Sequence, residues 1–152
     1  MIESVLEIIK IYYLEKLPFN KVLGIDIDAL DYETGQAVTS FNMTKDLIGN
    51  STAGVLHGGV TASVIDLTGG LSALISCAKS HEGKSLALIE KKLTSSATID
   101  MRVDYLRPGQ GRSFKCKSRI IRAGSRIVVA KIDLYNEKQT RIATGTATYL
   151  IA

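Results

Sequence analysis

The chain has no tryptophan, two cysteines, two histidines and two prolines among its 152 residues, and each scarcity removes a class of reading. Aromatic residues make up only 6%, too few to build the stacking platforms on which single strands of nucleic acid are bound, so no nucleic-acid partner is expected. Cys77 and Cys116 lack metal-ligand spacing, and a disulfide framework is normally denser; both read as core thiols. A metal wants at least three ligands, and His57 and His81 have no carboxylate or thiol at ligand spacing, so no metal site is expected. GxSxG, GxxxxGKS and GxGxxG are all missing, which argues against a nucleophile elbow, a phosphate loop and a dinucleotide fold. The opening MIESVLEIIKIYYLEKL starts with an acid and holds four charges by Glu15. That is not the layout of a signal peptide, and the cytoplasm is the expected location.

What is present is balanced. Hydrophobic residues make up 45% and charged residues 22%, an ordinary globular composition, and the length suits one domain over residues 1–152. The formal net charge of +4, spread between Lys84 and Arg141, favours a partner carrying several negative charges.

One stretch organises the rest. Residues 54–78, GVLHGGVTASVIDLTGGLSALISCA, are small or apolar almost throughout, yet carry His57 and Asp66. Val60 to Ala78 has the length and freedom from proline of a helix, and apolar residues occupy every side of it, which marks a buried helix. A membrane span is disfavoured, because Asp66 lies at the midpoint and no basic flank sets an orientation.

Around this helix the pattern is local and regular. Residues 2–17 put Ile2, Val5, Leu6, Ile9 and Tyr13 on one helical face, and Pro18 ends the pattern. This stripe has to pack on the sheet or on a neighbouring subunit, so removing residues 1–17 is expected to cost stability or assembly while leaving the chemical groups in place. Two strands follow in GIDIDALDYE and QAVTSFNMT, joined by an ETGQ turn. DLIGNSTA (46–53) reads as a polar loop into the central helix, and AKSHEGKSLALIEKKLTSSA as loop with a short helix. ATIDMRVDYL, SFKCKSRIIRA, SRIVVAKIDLYN and TRIATGTATYLI then read as a meander of antiparallel strands. The sum is an α+β chain whose antiparallel sheet of about five to six strands wraps a long central helix, with an additional N-terminal helix. Pattern alone does not separate a wrapped sheet from a closed barrel.

The chemistry-bearing residues fall into two groups. Asp66, flanked by Val64, Ile65 and Leu67, has to be hydrogen-bonded, paired or protonated if buried, and it reads either as a base or as a structural acid. The Leu56-His57-Gly58-Gly59 entry offers free backbone N–H groups and the positive end of the helix dipole, a setting that stabilises an oxyanion. His57 reads best as a residue that orients this turn, and Gly69-Gly70 as room for helix-helix packing. Arg122 and Arg126 flank an Ala-Gly-Ser turn, so that two guanidinium groups and backbone amides around Gly124 converge on a site suited to phosphate.

The run GNSTAGVLHGGVTASVIDLTGG, with the later TIDMRVDYLRPG, RAGSRIVVAKIDLYN and IATGTATYL, resembles the hotdog-fold acyl-CoA thioesterases of the phenylacetate-pathway type over about residues 20–150. The resemblance implies that Asp66 is the catalytic carboxylate, that the Gly58 N–H polarises the thioester carbonyl, and that His57 orients the turn. Asn50 matches an amide residue that helps place water or the carbonyl, which many members carry one position later, where Ser51 stands. Thr98 matches a hydroxyl that holds the hydrolytic water in some members; others place that hydroxyl one turn after the acid, at Gly70 here. It further implies a homodimer, commonly paired into a tetramer, and no metal or organic cofactor. The activity implied is hydrolysis of acyl-CoA with Asp66 as general base or nucleophile, against two alternatives: a non-catalytic acyl-CoA-binding protein, and a hydroxyacyl dehydratase that pairs a histidine side chain with the acid. Geometry adds one expectation. His57 and Asp66 are nine positions apart, about 900° of rotation and roughly 13 Å of rise on a regular helix, so a site using both the entry turn and the acid has to be shared between two chains.

Overall fold

A computed structural model describes residues 2–151. Helix α1 runs Ile2–Ile11 and widens into a π-helical turn at Tyr12–Lys16. Pro18 does more than end this segment. Its fixed φ and missing N–H suit a first helical position, and it opens α2 (Pro18–Leu23), which closes at Gly24 in the left-handed region, φ 65°. The chain therefore stays helical beyond Pro18, up to the first strand's approach.

Strands β1 (Asp26–Leu30) and β2 (Ala37–Asn42) form the expected hairpin. The expected polar loop at 46–53 is more ordered than its composition suggests. A 3₁₀ turn at Lys45–Leu47 leads to β3 (Ile48–Asn50), which pairs with β4 (Val55–Leu56) in a small separate sheet. The long helix α3 spans Gly58–Ser80, and α4 spans Leu86–Thr94 with Ser85 as its N-cap.

Strands β5 (Ala97–Tyr105), β6 (Ser113–Ala123), β7 (Ile127–Asn136) and β8 (Arg141–Leu150) complete a six-stranded sheet in the order β1-β2-β6-β7-β8-β5. Only β6-β7-β8 is a meander. β5 pairs with β8 at the far edge instead of with β6, and residues 106–112 carry the chain back across the sheet to β6, beside β2. The two edges, β1 and β5, stay apart, so the sheet is wrapped and not closed.

Helix α3 lies in the concavity, touching β2, β5, β6, β7 and β8. Val64, Ile65, Leu71 and Ile75 are fully buried on it. Gly145 on β8 sets how near it can come, since a Cβ there would stand 2.5 Å from Ile65 Cγ2. Its buried hydroxyls satisfy one another, as burial requires. Thr68 Oγ1 is 2.7 Å from Thr39 Oγ1 of β2, Ser72 Oγ is 2.5 Å from Ser118 Oγ of β6, and Ser118 also donates to the Thr68 carbonyl at 3.0 Å. The helix is long and apolar enough to cross a membrane, yet 72% of its most apolar window is buried inside the protein, as in the core of a folded domain. A stripe on its first half escapes this burial. Gly59 is exposed, and Ala62, Ser63 and Asp66 are half-buried, at the spacing of one helical face.

Candidate active site

Asp66 is half-buried on that stripe. Burial pushes its carboxyl above the ordinary aspartate value, and a hydrogen bond from Thr98 pulls in the opposite direction without cancelling it. Thr98 Oγ1, on the edge strand β5, donates to Asp66 Oδ1 at 2.8 Å. Oδ2 has no hydrogen-bond partner among the described residues. Asp66 borders a cavity of about 260 Å³ whose walls include Tyr12, Tyr13, Leu67, Leu93, Thr98 and Tyr149. The arrangement is a carboxylate of raised basicity on the wall of a ligand-accessible space, with one oxygen left without a hydrogen bond, which is what a general base needs.

Two tyrosines seat the helix at this point, and the sequence did not disclose either role. Tyr149 Oη donates to the Asp66 backbone carbonyl at 2.7 Å. Burial first, then the Asp66 charge, pushes the phenols of Tyr149 and Tyr13 far up, so both remain protonated donors. The Gly69-Gly70 pair makes this possible. A Cβ on Gly69 would collide with the Tyr149 hydroxyl, and one on Gly70 would stand 2.5 Å from Tyr13 Oη. These glycines therefore admit phenol groups, one from a strand and one from the N-terminal π turn, where helix-helix packing was expected. A glycine pair in an apolar helix was the available signal, but it does not say what approaches. The N-terminal segment is likewise a wall of the Asp66 cavity as well as a packing element, so its removal does not leave the site untouched.

The entry turn is built independently. The His57 N–H donates to the Leu47 carbonyl at 2.8 Å, and the Leu56 N–H to the Gly109 carbonyl at 2.9 Å. Gly49 leaves room for the His57 backbone, where a Cβ would be 2.5 Å from its Cα. His57 is the N-cap of α3, its Nδ1 accepting from the Gly59 N–H at 2.9 Å, which places the ring proton of the neutral form on Nε2. Tyr105 Oη of β5 donates to the Gly58 carbonyl at 2.8 Å. The Gly58 N–H has no partner among the described residues, as expected of a first helical position, and stays available to an oxyanion. Asn50 serves this same loop. Its Oδ1 accepts from the N–H groups of Thr52 and Ala53, both at 3.1 Å, an Asx turn that leaves only Nδ2 to meet water or substrate.

Within one chain these two groups do not converge. Gly58 opens on a depression lined with Thr61, Tyr105, Leu106 and Pro108, separate from the Asp66 cavity, and the eight helical steps from one to the other amount to about 12 Å of rise. The Arg122-Gly124-Arg126 turn belongs to the Asp66 end of the sheet, since Ala123 pairs with Val128, Val128 with Tyr149, and Tyr149 with Thr98. Both arginines are exposed, and the Gly124 N–H donates to the Ile127 carbonyl at 2.8 Å.

Other chemistries lack their groups. Cys77 and Cys116 are free and buried. Burial raises both thiols, Cys116 to about 12, so neither supplies a thiolate nucleophile near neutrality. His81 caps the end of α3, its Nδ1 within 2.9 Å of the Cys77 carbonyl. Among the described residues no three His, Cys, Asp or Glu side chains group as metal ligands would.

Comparison with known proteins places this geometry. The thioesterase superfamily model matches residues 53–143. The medium/long-chain acyl-CoA thioesterase YigI of Salmonella typhimurium is 39% identical over 98% of this chain and 95% of its own length; its Escherichia coli counterpart is 38% identical over the same shares. A Shewanella oneidensis protein related to the thioesterase superfamily has a solved structure that superposes with a TM-score of 0.93 at 40% identity, covering 99% of this chain and 97% of that one. The PaaI protein of the E. coli phenylacetic acid degradation operon shares the fold, with a TM-score of 0.77 at 20% identity over 99% of this chain and 94% of that one.

Proposed function

The chain belongs to the thioesterase superfamily, and from that membership we infer that it is an acyl-CoA thioesterase, releasing free acid and CoA from acyl-CoA of medium or long chain. One observation carries the assignment of the chemistry to Asp66: a carboxyl raised by burial, held through Oδ1 by Thr98, on the wall of a cavity. Asp66 Oδ2 takes a proton from a water steadied by Thr98, and the water oxygen attacks the thioester carbonyl carbon. The carbonyl π pair moves onto oxygen, where the Gly58 N–H at the helix N-terminus stabilises it. As the tetrahedral species collapses, the C–S bond breaks and the proton held by Asp66 passes to the departing sulfur.

This pathway uses the Gly58 of a facing subunit. The half-exposed stripe Gly59, Ala62, Ser63 and Asp66 is the surface a second α3 would cover. Beside it, β5 is an open edge strand with Ile99 and Tyr105 each 56% exposed, an edge suited to pairing with another copy. The homodimer then holds two shared sites, each with the Arg122-Gly124-Arg126 turn at its rim for the CoA phosphates, and it acts in the cytoplasm. Against the dehydratase alternative, which needs a histidine side chain for acid-base work, His57 already spends Nδ1 on the N-cap of α3. The direct test is release of free thiol from a panel of acyl-CoA esters. Turnover by the parent and its loss in Asp66→Asn support the reading, whereas equal turnover by both makes Asp66 a structural acid.

A further inference from the structure

The Asp66 cavity has a neighbour. A groove of about 480 Å³ runs between α1 and α4, walled by Ile8, Ile11, Ala87 and Thr94, with Lys16 and Lys91 among its polar lining residues. Tyr12 and Leu93 line both spaces. The inner cavity, at about 260 Å³, falls below the ~300 Å³ at which pockets that enclose drug-sized ligands begin. It accommodates the reacting end of an acyl group and little beyond.

The partition between the two spaces is unevenly held. Leu93 is buried on α4. The π turn that presents Tyr12 is pinned behind it, where buried Asn20 donates Nδ2–H to the Tyr13 carbonyl at 3.0 Å and Tyr13 lies against Gly70. Tyr12 itself is half-buried, with an edge contact to the Tyr13 ring at 6.2 Å and no hydrogen bond among the described residues. A π-helical turn inside an α-helical segment is uncommon and often marks a functional position. Here it leaves Tyr12 held by a single ring contact, while Tyr13 beside it is held by its backbone and by Gly70.

We propose that the α1–α4 groove is the binding site for the distal part of the substrate's acyl chain, and that Tyr12, with Leu93, is the gate that sets chain-length preference. The proposal rests on the acyl-CoA hydrolysis inferred above. A short acyl group stays inside the gate; a longer one displaces the Tyr12 ring and lies along Ile8, Ile11 and the methyl faces of Ala87 and Thr94. Each methylene moved from water into the groove raises kcat/KM by up to about fourfold.

The test is the ratio of kcat/KM for dodecanoyl-CoA to that for butyryl-CoA, measured in each protein so that a general defect cancels. Ala87→Trp fills the groove from its outer wall and should lower the ratio tenfold or more; Tyr12→Ala removes the gate and should raise it. Ala87→Cys, labelled with a benzyl maleimide after folding, repeats the block without a folding risk, since native Cys77 and Cys116 are buried. A ratio unchanged in both blocked proteins overturns the proposal. If the parent releases thiol from no acyl-CoA, the hydrolysis reading has failed. The groove is then judged by Kd for alkyl-CoA thioethers of the same two lengths. A length preference that disappears in the blocked proteins sustains the groove, and a preference unaffected by blocking overturns it.

Discussion

At the scale of single residues, the Asp66–Thr98 pair makes the most exacting predictions. Asp66→Asn keeps shape and hydrogen bonding but removes the basic oxygen, so kcat for acyl-CoA should fall by ~10²-fold or more with KM little changed. Because burial raises the Asp66 carboxyl, the acid limb of the pH–rate profile should have its midpoint above the ordinary aspartate value of about 3.9. Thr98→Val deletes the hydrogen bond that opposes this rise, so the limb should move to still higher pH. A limb that stays in place would separate Thr98 from the titration. The same shift bears on stability. The unfolded Asp66 ionises at the ordinary value and the folded one at a higher pH, so the folded state binds more protons between them, and stability contributed at this position falls as pH rises through that window. Asp66→Asn should therefore melt higher than the parent at pH 7, with the difference shrinking toward pH 4. Catalytic groups held in unfavourable surroundings commonly show this trade.

At the scale of elements, the N-terminal helical segment and the β6–β7 turn each have a separable role. Val5, Ile9 and Tyr13 are buried, and Tyr12 and Tyr13 wall the Asp66 cavity. Deleting residues 1–17 should lower both the melting temperature and thioester turnover, measured by calorimetry and thiol release on the same preparation. A truncated chain that melts lower yet turns over at the parent rate would reduce the segment to a packing element. The phosphate-binding role proposed for the Arg122-Gly124-Arg126 turn lies away from the reacting atoms. Charge reversal at both arginines should raise KM for CoA esters at low salt, leave kcat alone, and leave short thioesters without the nucleotide unaffected. An equal rise for both substrate types would place the phosphates elsewhere.

At the scale of the whole molecule, the decisive feature is that Gly58 and Asp66 open on different depressions of one chain. A site using both needs two copies. Asp66→Asn chains and chains disabled at the His57-Gly58 turn should each be inactive, while verified heterodimers of the two should recover one intact site of two. Heterodimers that remain inactive would return both groups to a single chain and overturn the shared site.

The sequence by itself determined what depends on near neighbours along the chain. An apolar run without proline makes α3, alternation makes the strands, and one carboxylate inside that run marks the position where chemistry has to be considered, because ionised groups are costly in apolar surroundings. Asp66, the His57 cap and the free Gly58 N–H were legible for that reason. Only the tertiary structure decided what depends on residues far apart in sequence. Periodicity says which face of a strand is buried but not which strand lies alongside, so the pairing of β5 with β8 stayed hidden. So did the β3–β4 hairpin inside a loop of polar composition. Gly69 and Gly70 announced a close approach, and only the fold identified the partners as Tyr149, 80 residues and more downstream, and Tyr13 from the chain's beginning. The N-terminal stripe read as a surface in need of cover. Its place beside Asp66, with a tyrosine between two adjoining spaces, follows from how α1, α3 and α4 pack, and such packing is set by the three-dimensional fit of side chains instead of by their order.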